Sequence, residues 1–197
     1  MNIIEKNIKG KHFCGNALVS DNARVSGDAL VYGNARVSGD AWVSDNARVS
    51  DNARVSGNAL VYGNARVSGD AWVSDNARVS DNARVSGNAL VYGNARVSGN
   101  ARVSGNALVY GNAWVSGNAI IEKTSDYLTI GPAKSSGRFT TAHKDFKIGI
   151  RVNCGCFSGT VKEFSEAIEK THKGNKEHLE QYRLFCQLIA FNFGVTE

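Results

Sequence analysis

The chain has 197 residues, room for one extended region and one small domain, and a formal net charge of +5. No apolar run reaches the length of a membrane span, and Met1-Asn2-Ile3-Ile4-Glu5-Lys6 does not read as a secretion signal. Cys14, Cys154, Cys156 and Cys186 are few and irregularly spaced, which argues against a disulfide scaffold and for reduced thiols in a cytoplasm, the expected location.

Taken in chain order, residues 1–14 precede any periodicity and are expected to cap the first coil of the repeats. From Gly15 to Glu122, eighteen consecutive hexapeptides have the form Gly/Asp-Asn/Asp-Ala-X-Val/Ile-X. Each unit is one short strand plus one turn. Ala and the branched residue two positions later point the same way, into a dry core, while the residue between them points outward. Gly-Asn, Gly-Asp and Asp-Asn pairs turn the corners, because these residues tolerate positive φ at least cost. Three edges close a triangle, so 18 residues make one coil and the repeats make about six. Asn at the second turn position, as at Asn46, Asn64, Asn82, Asn100 and Asn118, is placed to stack into amide ladders.

This pattern resembles the hexapeptide repeat of left-handed parallel β-helices over roughly residues 13–122. The left hand comes from that resemblance, since periodicity does not set it. Many such proteins are acyltransferases that use a His base, a loop breaking the repeats, and an acyl donor held between subunits of a trimer. Here no residue interrupts the eighteen units, and His12, His143, His172 and His178 all lie outside them. No general base is present along the prism, so an acyltransferase-related enzyme is the alternative and not the leading reading.

Wrapping the repeats at 18 residues gives three outward columns. One reads Leu18, Arg36, Arg54, Trp72, Leu90, Leu108; the second Arg24, Trp42, Leu60, Arg78, Arg96, Trp114; the third Leu30, Arg48, Arg66, Arg84, Arg102, Ile120. The stacked arginines are either a solvated charged face or an anion-binding stripe. Trp72, Leu90 and Leu108 lie beside Tyr92 and Tyr110, an apolar strip expected to be a subunit interface, with a homotrimer as the assembly the resemblance implies, or a docking face for the C-terminal domain. Residues 45–74 recur at 75–104 with only Asp70 replaced by Asn100 and Trp72 by Arg102. Thirty residues is not a whole number of coils, so each copy lands on a different face. Charges within the repeats balance, and the surplus lies outside them. Nucleic acid is therefore not an indicated partner, nor is a membrane.

Residues 123–197 read as a small α+β domain. Strands are expected at Tyr127–Ile130, Arg138–Ala142 and Ile148–Asn153. Thr160-Val161-Lys162-Glu163 fits a capping box that opens a helix, and Asn175 caps a second helix running to about Asn192. The segment, with Asp126-Tyr-Leu-Thr-Ile-Gly-Pro, Arg138-Phe-Thr-Thr, Cys154-Gly-Cys-Phe-Ser-Gly-Thr, Glu163-Phe and Thr171-His, is similar to a domain of uncharacterised proteins in gut bacteria and their phages. The loop carrying Lys134, Ser135, Ser136, Arg138 and Thr140 combines hydroxyls, two cations and backbone freedom, the requirements of a phosphate site. Cys154 and Cys156 are one residue apart with no second pair, so buried thiols are expected there and no metal or other cofactor. The fold expected is mainly β: about six coils of left-handed parallel β-helix over 15–122, then the α+β domain. The leading reading is a non-enzymatic scaffold that presents a domain for a phosphorylated or nucleotide ligand, with phage-encoded sequestration as its setting. A purely structural or attachment protein is the third.

Overall fold

A computed structural model describes residues 13–134 and 136–195. Nineteen short strands, from β1 (Phe13–Gly15) to β19 (Ile120–Ile121), form three parallel sheets of seven, six and six strands. Each strand pairs with the one eighteen residues on, so Arg66 lies beside Arg84, Trp72 beside Leu90 and Arg78 beside Arg96. About six coils therefore stack into a parallel β-solenoid, and the three outward columns are those that wrapping the sequence produces. They are called here the Arg face (Leu30 to Ile120), the strip face (Leu18 to Leu108) and the mixed face (Arg24 to Trp114). Of the expected N-terminal cap, residues 1–12 lie outside the described residues. Phe13 and Cys14 already pair, with Val31 and Tyr32, as part of the first coil.

The interior is built from the two inward positions alone. Every Ala from Ala29 to Ala119, and every branched partner from Val31 to Ile121, is fully buried. Each Val withdrawn from water contributes roughly 1.5–3 kcal/mol, and the narrow Ala position lets the corners close. Asn side chains stack along the edges as expected, with Nδ2 of Asn64 donating to Asn82, Asn82 to Asn100 and Asn100 to Asn118.

Past the solenoid comes a 3-10 turn (Thr124–Asp126) and an antiparallel sheet of β20 (Tyr127–Ile130), β21 (Thr140–Asp145), β22 (Gly149–Cys154) and β23 (Phe157–Thr160), in that order. Two helices follow the sheet, α1 (Val161–His172) and α2 (Lys176–Phe193). Both start at the expected caps. Thr160 and Glu163 form a reciprocal capping box, and Asn175 Oδ1 accepts from the His178 N–H. The strand expected at Arg138–Ala142 instead begins at Thr140 and runs on to Asp145. β23 is not among the expected strands, because Phe157-Ser158-Gly159-Thr160 has no β-branched run and its last residue doubles as the α1 cap.

The sheet is the middle of three layers. Alternate residues Ala142, Val152, Leu128 and Ile150 join Phe164, Ile168, Tyr182, Phe185 and Ile189 of the helices in a second core. The opposite residues face the last coil. Arg183 ties α2 to α1 through a two-pronged ion pair with Glu169 at 2.7 and 2.9 Å.

Replacing Val67 by Asp buries a carboxylate among Ala and Val with no partner, and is expected to unfold the prism. Arg66→Asp, one residue away on the exposed face, should shift the melting temperature by a few degrees at most. Equal tolerance of the two changes in thermal melts would contradict the inside–outside assignment.

Candidate functional site

The densest set of polar side chains lies where the antiparallel sheet meets the last coil. In each earlier coil the N–H of an outward or turn residue donates to the coil above, as Arg96 N does to Ala113 O and Ser98 N to Val115 O. The corresponding groups of the last coil have no coil above them. The alternating residues of β21 supply acceptors instead. Trp114 N donates to Thr141 Oγ1 at 3.0 Å, Ser116 N to His143 Nε2 at 3.3 Å, and Asn118 N to Asp145 Oδ2 at 3.0 Å. Alternate residues of β21 thus meet alternate N–H groups of the last coil, from the strand residue Trp114 round to Asn118 in the following turn. Nearby, Leu108 N donates to Thr124 Oγ1, Tyr110 N to the Tyr127 hydroxyl oxygen, and the N–H groups of Glu122 and Lys123 to Asp126 Oδ2. Asn153 Nδ2 returns a donor to the Trp114 carbonyl at 2.9 Å.

The electrostatics derive from that geometry. Asp145 is almost fully buried, which pushes its carboxyl up. The Arg151 guanidinium at 2.7 Å and the N–H groups of Lys147 and Asn118 outweigh this and hold it below the usual carboxylate range. Asp126 is likewise raised by burial but lowered further by Lys144 at 2.6 Å and by two backbone N–H groups. Burial pushes the Tyr127 phenol up to about 12. His143 is fully buried, and loss of water lowers its pKa to about 4. The hydrogen-bond network assigns its proton to Nδ1, which donates to the Lys144 carbonyl, and leaves Nε2 to accept from Ser116.

This constellation contains His, Asp, Asn and Thr, yet its bonds are directed at backbone. Asp145 bonds Arg151 and backbone N–H groups rather than the imidazole, so no carboxylate–His–nucleophile chain is formed. Sequence reasoning does not single these residues out. The available signal is the alternation Thr141, His143, Asp145 in a strand following a solenoid that must end.

The residues expected to form sites fall into separate regions. In the loop, Lys134 Nζ pairs with Glu177 at 3.1 Å, and Lys134 N donates to Gln181 Oε1. Ser136 Oγ lies 3.2 Å from the Tyr182 hydroxyl and also accepts from Arg138 N. Arg138 is exposed and its side chain lies across Gly155. Thr140 is fully buried with no partner for its hydroxyl, and Ser135 lies outside the described residues. On the strip face, Trp72, Leu90 and Leu108 stand in register. Tyr92 and Tyr110 stack at 5.4 Å, and Tyr110 meets the Tyr127 ring edge-on at 6.5 Å. Trp72 and Tyr110 remain 42% and 45% exposed, so the C-terminal layers sit on the end of the prism and leave this side open. Cys154, half-buried, and Cys186, buried, belong to the helix-facing core, on the other side of the sheet from His143, whereas Cys156, expected as a buried thiol, is exposed in the turn between β22 and β23. Among the described residues no three His, Cys, Asp or Glu side chains converge as a metal site, and no helix is long and apolar enough to cross a membrane.

The depressed His143 pKa has a direct consequence for stability. As pH falls from about 6.5 to about 4, the unfolded chain takes up a proton at this position and the folded chain does not. Stability is therefore complete above that window and falls through it, by roughly 3 kcal/mol in all. Thermal melts across the window should show this loss, and His143→Gln should flatten it. An unchanged slope in the variant would contradict a neutral, buried imidazole.

No curated protein matches the chain. Twelve overlapping matches to the YdcK beta solenoid repeat begin at residues 17–32 and end at 101–117. Together they span 17–117, a little over half of the chain and the part wound into the coils described above. The chain belongs to the YdcK beta solenoid repeat family.

Proposed function

We propose that this protein is a non-enzymatic scaffold whose solenoid, wound left-handed as in the hexapeptide-repeat proteins it resembles, assembles copies side by side through the strip face. The observation that carries this reading is the run Trp72–Leu90–Leu108 with the stacked Tyr92–Tyr110 pair, in which Trp72 and Tyr110 are exposed and Leu90, Tyr92 and Leu108 half-buried on the surface of the sheet. The lower half of the same face carries Arg36 and Arg54. A parallel arrangement sets strip on strip, whereas an antiparallel one sets these arginines against the partner's apolar half. Parallel packing around a common axis gives a closed homotrimer that presents three C-terminal domains at one end.

Light scattering should report a trimer, and Leu90→Arg combined with Leu108→Arg should dissociate it while leaving the buried positions untouched. A monodisperse wild-type monomer would overturn the assembly.

A phosphorylated ligand at the 131–140 loop is the second reading. It is favoured by Arg138, which is exposed and has no ion-pair partner among the described residues. On this reading Arg138→Ala weakens nucleotide binding about tenfold or more without lowering the melting temperature. Calorimetry against mono-, di- and cyclic nucleotides is the measurement, and binding untouched by Arg138→Ala would remove the loop from consideration.

A further inference from the structure

We propose that the Arg face, where it meets the antiparallel sheet, binds a small oxyanion carried on a ring, such as an aryl or nucleoside monophosphate. A surface depression of about 360 Å³ lies there, lined by Arg84, Arg102, Asn82, Asn100, Asn118 and Phe146. Each of these residues brings a distinct element of recognition.

Arg84 and Arg102 are neighbours across adjacent strands, so their guanidinium stems rise about 4.8 Å apart. Both are exposed, and neither has a carboxylate within ion-pair distance among the described residues. The adjacent turn carboxylate, Asp81, is engaged by the Gly99 N–H and the Ser80 hydroxyl. Two planar donor forks at this spacing repel each other when empty and share one phosphate well when filled.

The Asn82–Asn100–Asn118 ladder runs up one side of the depression and stops. Asn118 accepts from Asn100, but its own Nδ2 has no coil above to donate to. Among the described residues it meets no acceptor, and it stands at the ladder's end beside the arginines. Phe146 closes the site from the β21–β22 turn. Its ring is 75% exposed although its backbone is fixed by N–H donation to the Asn118 carbonyl at 3.0 Å. A rigidly mounted, uncovered aromatic face beside paired cations suits a flat ring bearing an anionic group.

The repeats add an independent observation. At thirty-residue spacing, Asp40-Ala41-Trp42 and Asp70-Ala71-Trp72 are followed by Asn100-Ala101-Arg102. The only two differences between 45–74 and 75–104 therefore both line the depression. One removes a negative charge and extends the ladder, and the other adds a positive charge in place of an indole.

The test uses the full chain, with calorimetric titration of phenyl phosphate, adenosine monophosphate and inorganic phosphate. The ring-bearing compounds should bind at least about tenfold tighter than inorganic phosphate. Arg102→Gln should weaken all three probes by about tenfold or more. Phe146→Ala should reduce the ring compounds to the level of inorganic phosphate and leave the latter unchanged. Arg48→Gln, two coils beyond Arg84 on the same column, and Arg138→Ala in the loop should have little effect. All four side chains are exposed, and unchanged melting temperatures will show that the variants fold. The proposal is overturned if no probe binds at low millimolar concentration. It also fails if Arg102→Gln is silent, or if Arg48→Gln costs as much as Arg102→Gln, since a diffuse field would then explain the binding. Loss on Arg138→Ala alone would place the ligand in the loop instead.

Discussion

The hydrogen bonds between coils have a direction, and it determines how the ends of the molecule are built. Along each edge the N–H of residue i donates to the carbonyl of residue i+17, as from Arg66 to Ala83 and from Arg84 to Ala101. Inside the stack this satisfies every coil at a constant spacing. At the C-terminal end it leaves a row of donors that no repeat can meet, and a bare row of this kind invites another chain to pair. Here the row is met by side chains rather than by a further strand. Thr141, His143, Asp145, Tyr127 and Asp126 each provide one acceptor, which turns the growing end into a finished one. Arg151 completes this by lying across Gly117, where any β-carbon would collide with it. His143 must stay neutral for the same reason, because an imidazolium has no acceptor to offer Ser116.

The corners obey a related rule. The first turn residue has positive φ, about 60° at Asp45 and Asp81 and about 70° at Gly63, and a β-carbon on Gly63 would sit 2.9 Å from the Asp81 backbone nitrogen. Asp nevertheless occupies five such positions, and each time a Gly lies above it in the next coil. Asp21 accepts from Gly39 N, Asp45 from Gly63, Asp51 from Gly69, Asp75 from Gly93 and Asp81 from Gly99. The charge-assisted bond offsets a backbone strain of about 1–3 kcal/mol. It also spaces the carboxylates so that no two stack along an edge.

These relations explain which parts of the molecule are legible in the sequence. Strands, faces, corners and the Ala/Val core are local properties repeated in register, so wrapping the sequence at 18 residues recovers them. The helix caps at Thr160 and Asn175 are local as well. The role of β21 is not. Thr141, His143 and Asp145 gain meaning only from the donors of Trp114, Ser116 and Asn118, which are far away in sequence and unpaired for a topological reason. β23 is hidden because Phe157–Thr160 is a strand through pairing with β22 and not through composition. In the loop, the hydroxyls and cations are visible, but their engagement by Glu177, Gln181 and Tyr182 depends on where α2 packs.

The surface features of the solenoid also arise from register rather than from any single unit. The thirty-residue copies are offset from the coil by twelve residues, so equivalent positions rotate from face to face. Tyr32 falls on the Arg face, Tyr62 on the mixed face and Tyr92 on the strip face. The apolar strip therefore combines Trp72 from one copy with Leu90 from the next and Leu108 beyond both. Likewise, a Trp at position 102 would have ended the arginine column at Arg84, and an Asp at 100 would have broken the amide ladder below Asn118. A solenoid that accepts any hexapeptide on any edge can build a patch by shifting copies and then adjust it by one or two outward substitutions, with no change to the buried Ala and Val that hold the coils together.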